Sequence, residues 1–344
     1  MESYILDFLS TRPVYGSSEP NLTKWKADCL KDWNLILENF LNSSIPKKVQ
    51  WTDEERKLNV DSLIARPQVT QRTDAWYTES QNLITASQFS LILKDNLTRG
   101  KLVVEKACVK LDNAPRRTVV LTMDLNPFTW GIRFEHVVNQ IYCNLTKTVT
   151  RDMGRLKHQK DPRLAASPDG MVISGPSERY GRFVEFKAPV TRKLTQEIPK
   201  EYVVQMQIQM EVGEVEECDY LEVRFNSAYE TKVPAMPTRS TYYGEIYVIG
   251  KDDLPIRYMY SELNTLGQPP ILENEETILE TVPWTTSEFY LTTVERSKSW
   301  FESVKPKIDS FWKDVESAKQ GTFVLPESSR KRKDTMCMIV DEPK

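Results

Sequence analysis

Charged residues stand among apolar ones in two short segments of the sequence, Asp169 in ASPDGMVIS at 166–174, and Glu185 and Lys187 in RFVEFKAP at 182–189. Successive side chains of a strand point to opposite faces, so Glu185 and Lys187 share one face while their apolar neighbours share the other. A hairpin joining the two segments would bring the carboxylate of Asp169 beside that of Glu185. The pattern therefore predicts two carboxylates and one ammonium group at one edge of a sheet.

Two carboxylates this close repel each other unless a cation lies between them. With no histidine or cysteine nearby, hard oxygen ligands favour Mg²⁺, or Mn²⁺, over zinc. Lys187 could orient a metal-bound water and offset the charge on a phosphate group as it becomes five-coordinate. These residues suit hydrolysis of a phosphodiester by metal-activated water. The alternative is a plain hairpin turn at Asp169 whose Glu185 and Lys187 form a surface ion pair.

Two helices are expected to position this cluster. Apolar residues from Gly131 to Lys147 fall on one helical face, and Glu135 lies on that inward-facing stripe. A buried lone carboxylate is costly, so Glu135 should have a partner, for which a metal ion would serve. A second helix, from Pro199 to Gly213, carries Gln205 and Gln209 four residues apart beside a buried seam, although both could equally lie on the helix surface.

The order of elements predicts an α/β fold with a central mixed sheet flanked by helices. Strand patterns cover 169–174, 182–187, 219–225 and 241–249, with the Pro199 helix between the second and third. Residues 284–319 have a helical pattern that is broken or kinked at Pro306.

Three regions are predicted along the chain. Residues 1–70 form an N-terminal helical segment, with an amphipathic stripe between residues 24 and 43. Residues 71–320 form the α/β domain with C-terminal helices. Residues 321–344 form a polar, disordered tail whose basic cluster at Arg330–Lys333 is typical of nuclear import signals.

Composition excludes several classes of protein. The 344 residues contain five scattered cysteines without metal-ligand spacing, no signal-peptide pattern and no apolar run long enough for a membrane span, which predicts an intracellular chain. The net charge is −3, but Lys147–Lys200 holds twelve basic against six acidic residues, and Glu262–Glu302 two against eight. The basic segment could attract phosphates, although both segments could also be ordinary solvated surface.

Five motifs, in order, resemble those of the phage lambda exonuclease and YqaJ-like viral alkaline nuclease family, a branch of the PD-(D/E)xK nucleases. They are DAWYTESQNLITAS at 74–87, GIRFE at 131–135, SPDG at 167–170, EFK at 185–187 and YVVQMQ at 202–207. The resemblance implies a PD-(D/E)xK nuclease core with helical additions at both ends. It also implies roles for five residues: metal ligands at Asp169 and Glu185, a supporting acid at Glu135, a lysine acting with the nucleophilic water at Lys187, and a glutamine holding the water or that lysine at Gln205.

The same resemblance implies substrate and partners. Ser87, Ser167, Arg192 and Lys193 would contact phosphate. Family members degrade one strand of double-stranded DNA from its 5′ end with Mg²⁺, and commonly work with a single-strand annealing protein in recombination. An endonuclease, an RNA-cleaving enzyme and a catalytically weak DNA-binding protein remain alternatives on the same fold.

One position departs from the family pattern. Family members usually have an arginine that grips the terminal 5′ phosphate where this chain has Ser80. A hydroxyl cannot match the paired, charge-assisted contacts of a guanidinium group, so we expect a weak preference for 5′-phosphorylated ends unless another cation fills the gap. Arg72 and Arg133 are the nearest candidates in the sequence.

Overall fold

The computed structural model describes residues 51–107, 121, 123, 126–227, 242–251 and 254–327. The described residues from Thr52 onward belong to one compact unit. The predicted helix at 24–43 and the basic cluster at Arg330–Lys333 lie outside the described residues, and the boundary near residue 70 stays a prediction. In the described part, no helix is both long enough and apolar enough to span a membrane.

Seven α-helices and ten strands make up the described part of the chain. The helices are α1 (Asp53–Ala65), α2 (Asp74–Ser80), α3 (Ala86–Ile92), α4 (Leu97–Ala107), α5 (Pro127–Thr146), α6 (Lys200–Gly213) and α7 (Lys298–Lys319). The strands are β1 (Ile84–Thr85), β2 (Val149–Arg151), β3 (Leu156–Lys157), β4 (Leu164–Ala166), β5 (Gly170–Ser174), β6 (Phe183–Lys187), β7 (Glu217–Ser227), β8 (Tyr243–Gly250), β9 (Arg257–Tyr260) and β10 (Thr277–Glu295).

A seven-stranded mixed sheet organises the unit. Its strand order is β2-β5-β6-β7-β10-β8-β9, and β1, β4 and β3 form a separate small sheet. Within the large sheet β6 and β7 run parallel, whereas the other neighbouring pairs are antiparallel. The prediction of an α/β fold with a central mixed sheet is confirmed.

Apolar side chains on the two faces of the sheet build two cores. Val172, Val184 and Val223 lie on one face and pack with buried residues of α5. Phe183 and Cys218 lie on the other face and pack with residues of α1, α3, α6 and α7. The alternation predicted for β6 is therefore present, but helices pack on both faces, so Glu185 is buried and Lys187 is only partly exposed.

The helix that carries Glu135 begins at a well-defined cap. The Asn126 side chain accepts the N–H groups of Phe128 and Thr129, and Pro127 occupies the first turn, where its missing N–H costs nothing. The helix ends at Lys147, which adopts the left-handed conformation. These caps fix where α5 begins and ends against the sheet.

The prediction of helix from residue 284 is wrong for residues 284–295. They belong to β10, a 19-residue strand that pairs with both β7 and β8. Their sequence, WTTSEFYLTTVE, is rich in aromatic and β-branched residues, which favour strands. The helix begins at Lys298, and its assigned bounds include Pro306 without a break.

Close packing between α6 and β6 gives a stability prediction. A Cβ atom on Gly213 would lie 2.3 Å from Phe183 Cε2, in a fully buried ring. We expect Gly213→Ala to lower the free energy of unfolding by about 1–3 kcal/mol, the usual cost of overpacking a core. Urea unfolding would measure it.

The matched control is Gly131→Ala in α5, where a Cβ atom would meet nothing within 4 Å. This change should be neutral or stabilising by up to about 1 kcal/mol, because alanine loses less entropy than glycine in a helix. Equal stability of the two variants would contradict the packing argument.

Candidate active site

The hairpin predicted from the sequence brings Asp169 and Glu185 together. Asp169 immediately precedes β5, and the register pairs Gly170 with Val184 on β6. Asp169 Oδ2 accepts the backbone N–H of Phe186 at 2.7 Å. The strand pairing therefore fixes the Asp169 carboxylate alongside the residues that carry the second carboxylate and the lysine.

Glu185 is completely buried, and three side-chain groups hold its carboxylate. Gln205 Nε2 donates to Oε1 at 2.7 Å, and Gln209 Nε2 donates to Oε2 at 2.6 Å. Lys187 forms an ion pair with Oε1 from the same strand. The alternative of a surface ion pair is thus wrong, and both glutamines face the sheet, not solvent.

Burial and charge shift the protonation of the cluster. Loss of solvation, followed by repulsion from Glu185 and then Glu135, raises the pKa of Asp169 well above its ordinary value. Burial alone would lower the pKa of Lys187, but the carboxylates of Glu185 and Asp169 outweigh it and raise that pKa. The Lys187 ammonium also lies 4.8 Å from the centre of the Tyr202 ring. The lysine is therefore held as a cation between two acids.

Glu135 is half-exposed, not buried as the helical pattern predicted. Its side chain is 34% exposed, and its Oε2 pairs with Arg72 Nη2 at 2.6 Å. The neighbouring Phe134 and Val137 supply the buried stripe of α5, which places Glu135 at the stripe's margin. Glu135 nevertheless lies near enough to contribute to the pKa shift of Asp169.

The number and placement of the carboxylates determine whether this site could hold a metal ion. Among the described residues, no group of three or more His, Cys, Asp or Glu side chains is placed to hold one. Two carboxylates suffice for Mg²⁺, which commonly uses one or two together with water and substrate phosphate. The repulsion between Asp169 and Glu185 also marks excess negative charge that a cation would neutralise. The Asp169 and Glu185 pair fits such an ion, whereas Glu135 is engaged by Arg72.

The cluster opens into a cleft of about 650 Å³. Asp169, Glu135 and Lys187 line it on one side, and Arg192 and Tyr202 also contribute to its walls. The remaining lining is largely apolar and includes the exposed ring of Phe128. Asp169, Glu135 and Lys187 are therefore accessible to a ligand that enters this cleft, which we call the first cleft, whereas Glu185 is buried behind its lining.

The four residues implied as phosphate contacts are dispersed. Arg192 lines the first cleft but also pairs with the fully buried Glu222. Ser167 Oγ accepts the indole N–H of Trp76 at 3.4 Å, and Ser87 Oγ lies 3.2 Å from Thr85 Oγ1. Lys193 is exposed. Their roles in phosphate binding stay predictions.

Much of the basic charge between Lys147 and Lys200 pairs within the fold. Arg179 and Arg182 both pair with Asp219, which is completely buried. Lys187 and Arg192 also have carboxylate partners. The charge count of this segment therefore overstates the positive surface available to phosphates.

The surroundings of Ser80 contain two buried cations that sequence reasoning missed. The Lys106 ammonium donates to the Ser80 carbonyl and is 3% exposed. Burial lowers the pKa of Lys106 to about 8; the Glu105 carboxylate opposes this shift, and repulsion from Arg155 adds to it. Arg155 lies 4.1 Å over the Trp76 ring, and its Nε and Nη2 atoms lack a hydrogen-bond partner within the described part of the chain.

The two arginines that the sequence suggested for the 5′ phosphate, Arg72 and Arg133, have their carboxylate partners elsewhere and not at Ser80. Arg133 is buried near Glu280, with 3.8 Å between the charged atoms, and Arg72 pairs with Glu135. The position of Lys106 on the stripe of α4, four residues from Leu102 and three from Val103, was a detectable signal that its ammonium is buried.

Residues 75–216 match the family model described as the YqaJ-like viral recombinase domain. The chain is 26% identical over 184 residues to an uncharacterised protein, R354, of Acanthamoeba polyphaga mimivirus. That match covers 50% of this chain and 32% of the mimivirus protein, so it spans about a third of that relative's length.

Solved structures of two exonucleases are also similar. The alkaline exonuclease LHK-Exo of Laribacter hongkongensis is 18% identical with a TM-score of 0.45, covering 72% of this chain and 95% of that one. A phage-related exonuclease of Haemophilus somnus 129PT is 12% identical with a TM-score of 0.41, covering 70% and 96%.

The contact between Gln209 and Glu185 gives a prediction for the site. Gln209→Leu removes one donor from a buried carboxylate and should lower the free energy of unfolding by about 1–3 kcal/mol. In a Glu185→Leu background the same change should cost much less, because no carboxylate needs the donor. Chemical denaturation of the four proteins measures the difference. Equal losses in both backgrounds would show that Gln209 acts only through packing.

Proposed function

We propose that this chain, whose residues 75–216 form a YqaJ-like viral recombinase domain, is a Mg²⁺-dependent deoxyribonuclease that hydrolyses double-stranded DNA. The observation that carries the proposal is the fully buried Glu185 carboxylate, held by three donors beside Asp169 and Lys187 at the first cleft. Removing a carboxylate from water costs free energy. Three donors that fix its orientation are the arrangement expected for a carboxylate that binds a metal ion or takes part in the reaction.

Each residue of the cluster has a distinct task in this mechanism. Asp169 and Glu185 would hold the ion, and Gln205 and Gln209 keep Glu185 in one orientation. When bound, the ion would supply Lewis-acid polarisation of the phosphate and a more acidic water. Lys187, confined beside both carboxylates, offsets the charge that develops on the phosphate oxygens.

The finer proposal is a 5′-to-3′ exonuclease on linear duplexes that acts in viral DNA recombination or genome processing with a single-strand annealing protein. It is supported by the five ordered motifs and by the family description. The competing candidates are an endonuclease, an RNA-cleaving enzyme of the same fold and a catalytically weak DNA-binding protein. Digestion of end-labelled linear duplex, closed circular duplex and RNA separates them.

The first test of the proposal concerns the cluster itself. Asp169→Asn and Glu185→Gln should abolish cleavage of end-labelled linear duplex in Mg²⁺, because each weakens the ion's ligand set. Lys187→Ala should lose most cleavage but keep DNA binding in Ca²⁺, since the ammonium serves the reaction more than the ion. Asp95→Asn, at an exposed carboxylate on the surface, is the matched control and should cut normally.

Two results would refute these assignments. Near-normal cleavage by Asp169→Asn or Glu185→Gln would remove those residues from the catalytic centre. An equal collapse of DNA affinity and cleavage in Lys187→Ala would make Lys187 a binding residue instead.

Lys106 changes the expectation for the 5′ end. Its ammonium group donates to the backbone carbonyl of Ser80, the residue that stands where the family has an arginine. Arg155 is a second buried cation nearby. We therefore expect Lys106 to supply the charge that Ser80 lacks, so that the protein prefers 5′-phosphorylated ends.

This preference should depend on pH, because burial lowers the pKa of Lys106 to about 8, so that Lys106 loses its charge progressively as the pH rises through that value. The rate on 5′-phosphate ends divided by that on 5′-hydroxyl ends should be about ten- to a hundredfold at lower pH, as expected for a charge-assisted hydrogen bond. It should fall as the pH rises through 8. Taking the ratio cancels the pH dependence of the chemical step.

Two variants isolate the lysine. Lys106→Arg should keep the preference at alkaline pH, whereas Lys106→Met should show none at any pH. A preference that persists unchanged in Lys106→Met would show that another group binds the terminal phosphate.

A further inference from the structure

A second cleft, of about 390 Å³, meets the first at Asp169, Glu135 and Arg72. One of its walls is the segment from Ile64 to Arg72, and the other is formed by Arg151 to Gly154. The first wall precedes the recombinase domain that was matched at residues 75–216. A part of the chain outside that domain thus reaches the candidate catalytic carboxylates.

Hydrogen bonds tie the two walls of the second cleft together. The Gln68 side chain accepts the Gly154 N–H at 2.8 Å, and Gln71 Nε2 donates to the Met153 carbonyl at 3.2 Å. Val69 and Arg155 also form a β-bridge. The cleft is therefore a preformed feature of the fold, so a ligand would not have to order it.

The lining of the second cleft is rich in groups that donate hydrogen bonds to phosphate oxygens. Guanidinium, amide and hydroxyl groups come from Arg66, Gln68, Thr70, Gln71 and Arg151, of which Arg66, Gln68 and Gln71 already donate to backbone carbonyls within the fold. Arg151 is exposed, at the end of the sheet's edge strand β2. Three carboxylates also line the cleft. Glu135 is paired with Arg72, and Asp169 belongs to the proposed ion site. Asp152, next to Arg151 in the sequence, is the third.

Arg72 occupies the junction of the two clefts in an unfavourable backbone conformation. Its φ of 65° lies in the left-handed region, which costs free energy for any residue with a Cβ atom. Such strain often marks residues held in place for binding or catalysis. Arg72 lines both clefts together with Asp169, and its guanidinium group makes the ion pair with Glu135.

We infer that the second cleft binds the sugar–phosphate backbone on one side of the bond that is cut, while the first cleft holds the nucleotides on the other side. This inference rests on the proposed function, because a phosphodiester positioned at Asp169 has nucleotides in both directions. Arg72 contacts the backbone at the junction and Arg151 contacts it at the outer end. Residues 64–72 therefore take part in substrate binding.

The test compares two single-charge changes in the basic segment. Arg151→Gln removes a lining guanidinium, and Lys160→Gln removes an exposed ammonium that lines neither cleft. Duplex affinity is measured by fluorescence anisotropy over a range of salt concentrations in EDTA, so that no cleavage occurs. Arg151→Gln should weaken binding and reduce the slope of log affinity against log salt by about 1, as expected for one lost phosphate contact. Lys160→Gln should change neither quantity.

Steady-state cleavage provides the second measurement. Arg151→Gln should raise KM several-fold with kcat within about twofold of the unmodified protein, since it removes binding that is equal in ground and transition states. Arg151→Lys should restore much of the affinity and the salt slope. The thermal midpoint of each variant checks that the edge strand still folds.

The outcomes separate the two proposals. An unchanged salt slope and KM in Arg151→Gln, in a protein that cuts DNA, would overturn the second cleft as a binding path and leave the proposed function intact. A reduced salt slope in Arg151→Gln, in a protein that cuts no nucleic acid, would overturn the proposed function and leave the second cleft as a nucleic-acid-binding surface with no bond to cut beside it.

Discussion

The burial of the Glu185 carboxylate is the constraint on which the rest of the site depends. A charge that is taken out of water must be matched by donors, and here two of them come from α6 and one from the same strand. This requirement sets the rotation of α6 against β6. At the end of that helix, Gly213 packs against Phe183 where a Cβ atom would not fit.

The chemistry of β6 could be predicted from the sequence because it depends on local geometry. Alternation along a strand placed Glu185 and Lys187 on one face, and a spacing of four placed Gln205 and Gln209 on one side of a helix. The hairpin that brings in Asp169 joins neighbouring strands, so it too is a local feature. The sequence did not predict that α6 packs on the face of β6 that carries Glu185, because this packing depends on contacts between residues far apart in the sequence.

The predictions that failed concern residues whose environment is set by distant parts of the chain. Glu135 lies at the margin of the buried stripe of α5, and its partner Arg72 is 63 positions away. A helical pattern shows approximately which face of a helix a residue lies on. For a residue at the margin of the apolar face, the pattern does not show whether the side chain is buried or exposed to solvent. The strand at 284–295 failed for a related reason, since its pairing with β7 and β8 outweighs the pattern that favoured a helix.

The distribution of positive charge shows why counting charges along a sequence is a poor guide to where phosphates bind. The segment from Lys147 to Lys200 contains twelve basic residues and six acidic ones. Two of the basic residues, Arg179 and Arg182, nevertheless pair with the same buried carboxylate, that of Asp219. Lys106 lies outside that segment and is buried, and burial lowers its pKa more than the neighbouring Glu105 raises it. A buried cation is costly to retain unless an anion relieves it, and an exposed cation in a solvated pair costs little. The number of basic residues in a segment therefore does not predict how much positive charge that segment presents to a ligand, because pairing and burial within the fold decide it.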